Sequence, residues 1–248
     1  MILKVYLIGG LGNNLFQIDY GLRQSKGQEV VFLTNIIDEP IYNRVFGWTY
    51  HTPDIYNINL NKVINLKKEN FLRFLFDLFF LFLARLFKKN IFGVSWNSPE
   101  ISRSNFGYFQ DLEHHSNKIF SLAMQAQGKV YDTVIHFRLG DSPTLNLDVN
   151  KQINLLKKLQ LSDFKVVTND IAEVSALLQK YDFKFEILGG NVLEDLKILM
   201  LTKRLIAPQS TFSLVAALMS DNLQELYIDK QFWTSKGRNI PRLNIKYY

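Results

Sequence analysis

The chain is 248 residues long, enough to bury one large core or two smaller ones. Hydrophobic residues make up 47% and charged residues 21%, which excludes wholesale disorder, and 20 Phe with 11 Tyr suit apolar clefts or a membrane-facing patch. The lack of cysteine excludes disulfide scaffolds, thiolate metal sites and cysteine nucleophiles, while a net charge of +6 favours nucleotides, phospholipid headgroups or nucleic acid as partners.

The opening MILKVYLIGG has too short an apolar run, and no cleavage region, for a secretory signal. Residues 2–8 instead read as a strand ending at Gly9-Gly10. A helical pattern runs from about Asn13 to Ser25, with Leu15, Phe16, Ile18 and Leu22 on one side. Gly27 closes it and EVVFLT follows as a second strand, so the chain begins with a β-α-β unit whose first turn is glycine-rich. Residues 35–65 lose periodicity and are predicted to be irregular or made of short elements.

Residues 71–87, FLRFLFDLFFLFLARLF, form a helical pattern interrupted only by Arg73, Asp77 and Arg85, which share one third of a helical wheel. The run is shorter than the roughly 20 apolar residues of a spanning helix, carries charges, and is bracketed by Lys67-Lys68 and Lys88-Lys89. Two readings stay open: a helix buried on most sides, or an amphipathic helix lying on an anionic membrane.

From about Asp132 the pattern is regular. Strands at 132–137, 164–168, 184–188, 204–207 and 225–229 alternate with helices near 149–160, 171–181, 192–202 and 212–220. Such alternation predicts an α/β fold with a parallel sheet covered on both faces. Two Rossmann-like lobes with a cleft between them are expected, 1–120 and 121–248, the boundary falling between about 112 and 131.

Four short stretches carry candidate chemistry. GGLGNN, residues 9–14, joins a strand to a helix, where a glycine turn and a helix N-terminus can receive an anion or a polar sugar. Gly10 and Gly12 supply G-x-G, but Leu15 stands where a dinucleotide fingerprint needs its third glycine; the structural alternative is a tight turn with Asn13 as helix cap. In VIHFRLGDSP, residues 134–143, Arg138 can pair a phosphate bidentately, His136 can donate to a phosphate or base, and Asp141 can hold the arginine or the loop. In VVTND, residues 166–170, Asp170 suits a nucleobase edge or a helix cap. In STFS, residues 210–213, Ser210 or Thr211 caps a helix whose N-terminus can also receive phosphate. Three of these lie at the carboxyl ends of strands in one lobe, where open α/β sheets bind ligands.

The ordered set GGLGNN, GYFQ (107–110), HFRLGD (136–141), VVTND, EDLKILM and APQSTFS resembles the bacterial α-1,2-fucosyltransferases, glycosyltransferase family 11. The resemblance implies a GT-B-type enzyme, inverting and metal-independent, that moves L-fucose from GDP-β-L-fucose to a galactose 2-hydroxyl in O-antigen-like surface glycans. It implies no cofactor, with GDP-fucose as donor substrate, and assigns the first lobe to the acceptor and the second to the nucleotide sugar. By the same resemblance Arg138 binds the diphosphate, His136 lines the nucleotide pocket and Asp170 contacts guanine. Ser213 and its neighbours Ser210 and Thr211 hold phosphate, and Gly10, Gly12 and Asn13 face the pyrophosphate–sugar end. The family pattern H-x-R-R-x-D meets Leu139 at its second arginine.

A galactose-containing, lipid-linked acceptor and a cytoplasmic enzyme on the inner face of the plasma membrane complete the expectation. The dispersed lysines argue against a nucleic-acid partner. A transferase using another nucleotide sugar, or a non-catalytic nucleotide- or sugar-binding protein, remains the alternative. A general base has to activate the acceptor hydroxyl, and Asp19 is a weak candidate, expected on the helix surface.

Overall fold

Two sets of short apolar strands, each broken by glycine or polar turns, build two parallel sheets. The computed structural model describes residues 2–7, 9–25, 27–34, 65–68, 71–87, 94–96, 104–106, 126–139, 149–230 and 244–248. The chain divides into two compact units, Met1–Asp111 with His115–Ala123, and Leu112–His114 with Met124–Tyr248.

In the first unit the order is β1 (Leu3–Tyr6), α1 (Leu11–Gln24), β2 (Val30–Thr34), β3 (Asn65–Lys68), α2 (Phe71–Phe87), β4 (Val94–Trp96) and β5 (Ser104–Phe106). Its sheet runs β3-β2-β1-β5-β4 with every pair parallel. All five residues of β2 are buried, as expected of a strand covered on both faces. Gly21 lets α1 approach this sheet, because a Cβ there would sit 2.7 Å from the Phe32 ring and 3.0 Å from Val5. The close approach buries polar as well as apolar residues of α1. Asp19, expected at the surface, is fully buried, and its Oδ2 accepts a hydrogen bond from Arg23 Nε at 2.8 Å, one helical turn on.

The apolar segment 71–87 is helical throughout, as the sequence predicts. It is not buried on most sides. Phe74, Asp77, Leu81 and Ala84 are buried, with Phe74 and Leu81 in a cluster with Tyr6, Val31, Leu33 and Val94. The Tyr6 hydroxyl donates to Asp77 Oδ2 at 2.7 Å, tying the helix to the end of β1. The opposite face is exposed. Among the described residues no helix is long and apolar enough to cross a membrane.

In the second unit the order is β6 (Tyr131–Phe137), α3 (Val149–Lys158), β7 (Asp163–Thr168), α4 (Ile171–Gln179), β8 (Lys184–Ile187), α5 (Val192–Met200), β9 (Thr202–Ala207), α6 (Thr211–Met219), β10 (Glu225–Ile228) and β11 (Ile245–Tyr247). The parallel sheet runs β8-β7-β6-β9-β10-β11, the doubly wound order in which the chain builds outward from β6 in one direction and then from β9 in the other. The five strands and four helices predicted here all form, with ends shifted by one or two residues. The short strands β3, β4, β5 and β11 were not predicted.

Local chemistry starts α5 cleanly. Asn191 Oδ1 accepts from the backbone N–H groups of Leu193 (3.1 Å) and Glu194 (3.0 Å), while Asp195 Oδ1 accepts from Gly190 N at 3.3 Å. Gly189, at φ +93°, leaves room for that carboxylate, since a Cβ would lie 1.9 Å from Asp195 Oδ1. Burial, only partly offset by the Gly190 hydrogen bond and reinforced by Glu194, pushes the Asp195 carboxyl up to about 6. A carboxyl whose pKa is higher in the folded state binds protons preferentially there, so its contribution to stability falls as pH rises from about 4 to about 6 and is level above. Asp195→Asn keeps the acceptor for Gly190 and removes the charge. Thermal melts should show the variant more stable than the parent at pH 7, with the difference vanishing by pH 4.

Candidate functional site

The pleat of β6 sorts its side chains. Ile135 and Phe137 point to one face and join an apolar cluster with Ile153 and Leu156 of α3, Val174 and Leu178 of α4, and Val166. The alternation continues past the strand end, so Leu139 enters the same cluster. His136 and Arg138 take the other face, where the N-terminus of α6 lies. His136 is buried, and its Nδ1 shares a short hydrogen bond with Ser213 Oγ. Arg138 is half-buried and donates from Nη1 to Ser210 Oγ at 3.3 Å. The Phe212 ring stands edge-on to the imidazole with centroids 5.8 Å apart.

His136, Arg138, Ser210 and Ser213 meet at the carboxyl ends of β6 and β9, the pair at which the strand order reverses, and that crevice is where open α/β sheets hold ligands. Ser210 is the N-cap residue of α6 by position, yet its side chain makes no cap hydrogen bond and accepts from Arg138 instead. The expected side-chain cap by Ser210 or Thr211 is therefore corrected: Ser210 is committed to the guanidinium, and Thr211 is the first helical residue. A guanidinium beside a helix N-terminus combines a fixed cation with backbone donors, an arrangement that suits a phosphate or diphosphate.

Neighbouring residues hold the arrangement rigid. Asn169 Oδ1 accepts from Leu139 N at 2.9 Å and its Nδ2 donates to Leu139 O at 2.6 Å, clamping the backbone directly after Arg138. Gln152 Nε2 donates to the His136 carbonyl at 3.0 Å. The Tyr248 hydroxyl donates to Ala207 O at 2.7 Å, pinning the end of β9, and burial raises that phenol's pKa above its ordinary value. None of these three was singled out in the sequence. Asn169 had the nearest signal, as the neighbour of Asp170 in VVTND.

Asp170 follows β7, the strand next to β6, and its Oδ1 caps α4 by accepting from Glu173 N at 2.9 Å. The glycine turn belongs to the first unit, at the end of β1. Gly9 has φ +79°, Gly10 is the N-cap residue without a side-chain cap bond, and α1 begins at Leu11. Asn13 is thus inside the first helical turn and not its cap, and it folds back so that its Nδ2 would be 2.6 Å from a Cβ on Gly9. Gly12 is buried in the same turn. Asp141 and Gly107–Gln110 lie outside the described residues. Among the described residues, no group of three or more His, Asp or Glu side chains is gathered as metal ligands.

No protein-family model matches the sequence, and no curated protein matches it significantly. Among solved structures, E. coli heptosyltransferase WaaC with ADP is similar, with a TM-score of 0.50 and 10% identity over 100% of this chain and 93% of that one. NodZ alpha-1,6-fucosyltransferase soaked with GDP-fucose gives a TM-score of 0.45 and 13% identity, over 92% of this chain and 94% of that one. A family 9 glycosyl transferase from Veillonella parvula DSM 2008 gives 0.46 and 11%, over 99% and 86%. The fold class is α/β, GT-B-like, with Rossmann-like parallel sheets. At 10% identity the likeness is one of chain path, and the chemistry rests on the residues at the switch point.

Leu139 faces the core and not Arg138's side of the sheet. Leu139→Arg should therefore destabilise the protein by about 3 kcal/mol, because it drives a guanidinium into an apolar cluster without a counter-ion. Urea unfolding of the variant checks this.

Proposed function

We propose that the protein is an inverting, metal-independent glycosyltransferase that moves L-fucose from GDP-β-L-fucose to the 2-hydroxyl of a galactoside in bacterial surface glycan synthesis. The single observation that carries the reading is the meeting of Arg138 and His136 with Ser210 and Ser213 at the N-terminus of α6, on the switch point of a doubly wound sheet. The ordered motif set that resembles the α-1,2-fucosyltransferases supplies the choice of donor and linkage.

In this reading the galactose 2-oxygen attacks the anomeric carbon of fucose from the face opposite the leaving group. The bond from that carbon to the β-phosphate oxygen breaks, GDP departs with the bonding electrons, and the hydroxyl proton passes to a general base. Charge accumulates on the β-phosphate as the bond breaks. Arg138 and the first-turn N–H groups of α6 meet it with donors already in place, which is worth more in a half-buried site than in water. Asn169 and Gln152 keep the backbone on either side of Arg138 from yielding. His136 lines the nucleotide pocket and Asp170 contacts guanine. The acceptor is a galactose-containing, lipid-linked glycan.

Asp19 does not serve as the base in this reading. It is fully buried and occupied by Arg23, so it has no path to an acceptor hydroxyl.

A diphosphate is common to many nucleotide sugars, so binding to a panel of nucleotides separates the donor classes. Calorimetry with GDP, GDP-fucose, UDP and CMP should show GDP and GDP-fucose binding without added metal. Arg138→Ala should weaken GDP by about tenfold to a hundredfold, the loss of a charge-assisted contact. Binding of UDP alone overturns the fucosyl assignment and favours a transferase using another nucleotide sugar. Absence of nucleotide binding overturns the transferase reading in favour of a non-catalytic protein.

A further inference from the structure

Helix α2 carries apolar residues on its outward as well as its inward face. Helices on protein surfaces turn an apolar stripe inward and charges outward. In α2 the residue facing inward with Phe74, Leu81 and Ala84 is Asp77, buried and hydrogen-bonded to the Tyr6 hydroxyl. Facing outward are Leu75 (41% exposed), Phe76 (54%), Phe79 (58%), Phe82 (64%), Leu86 (62%) and Phe87 (59%). At 100° per residue these six occupy an arc of about 140° opposite the buried one. Phe76 and Phe79 each stack edge-on against Phe80, which holds the ridge as one surface. A contiguous apolar strip of this kind marks an interaction surface.

Charge selects the occupant. Between residues 67 and 89 the sequence holds six Lys or Arg and two acidic residues, and one of those two, Asp77, is buried. Lys67 and Arg73 are exposed, and Lys68, Lys88 and Lys89 sit directly beside the helix in sequence. A second copy of the chain fits poorly, because antiparallel two-fold pairing of α2 would set Lys67-Lys68 of one copy against Lys88-Lys89 of the other. An anionic lipid surface matches both properties, with acyl chains for the phenylalanines and headgroups for the bracketing cations. The helix is about 25 Å long and therefore lies in the interface plane instead of crossing it.

We propose that the outward face of α2 docks the protein on anionic membranes, with Phe76, Phe79 and Phe82 entering the acyl boundary and the flanking basic residues at the phosphates. Docking involves neither Arg138 nor a nucleotide, so it stands or falls separately from the transferase reading.

Flotation of the full chain with phosphatidylcholine vesicles, with and without phosphatidylglycerol, tests it. The parent protein should float with the anionic vesicles at low salt and at least about tenfold less with neutral ones, and added salt should weaken the binding. Phe79→Glu/Phe82→Glu alters only exposed positions and should lose binding by about tenfold or more while keeping the parent's circular dichroism and melting temperature. If the double variant melts lower, Phe82→Glu alone serves the comparison. Failure of the parent to float, or equal flotation of the folded variant, overturns the proposal. So does a concentration-dependent dimer, seen by light scattering, that the variant abolishes.

Discussion

The candidate site depends on the two-residue repeat of an extended chain at the end of β6. Successive side chains there go to opposite faces, so Ile135, Phe137 and Leu139 are drawn into the core while His136 and Arg138 are left on the side of α6. The apolar residues thus position the polar ones. Burial of the odd-numbered set against α3 and α4 fixes the register, and a slip by one residue would put the guanidinium in the core and leucine at the switch point.

The remaining elements of the second unit reinforce that division. Parallel pairing of β6 with both β7 and β9 brings two further strand ends beside Arg138, one carrying Asn169 and the other leading to Ser210. The histidine gains a buried partner in Ser213 from a residue 77 positions away in the chain. A guanidinium, an imidazole and two hydroxyls drawn from two strand exits and one helix then form a site that no single segment contains.

In the first unit the same balance between apolar burial and polar pairing operates on helices. Gly21 brings α1 close enough to the sheet that Asp19 has to be buried, and Arg23 answers it from one turn away. On α2 Asp77 turns inward, where Tyr6 offers it a hydroxyl at the end of β1. Phe76, Phe79, Phe82 and Phe87 face outward, and the surface gains a ridge that its own core does not use. Periodicity alone located the helix but left its orientation open, since both faces are apolar. A partner 71 residues away decided it.

Sequence by itself determined five strands and four helices of the second unit, because their apolar runs are long enough to state a period and are cut by glycine and polar turns. It also marked His136, Arg138, Asp170 and Ser210–Ser213 as strand exits and helix starts with useful chemistry. It missed β3, β4, β5 and β11, strands of three or four residues such as SNF and IKY, which are too short to show alternation and form only because a neighbouring strand accepts them. Only the tertiary structure decided that Ser210 serves Arg138 instead of its own helix, that Asn169 clamps Leu139, and that Leu139 belongs to the core. Each of these is a contact between residues tens of positions apart, and its partner is chosen by the order in which parallel strands assemble.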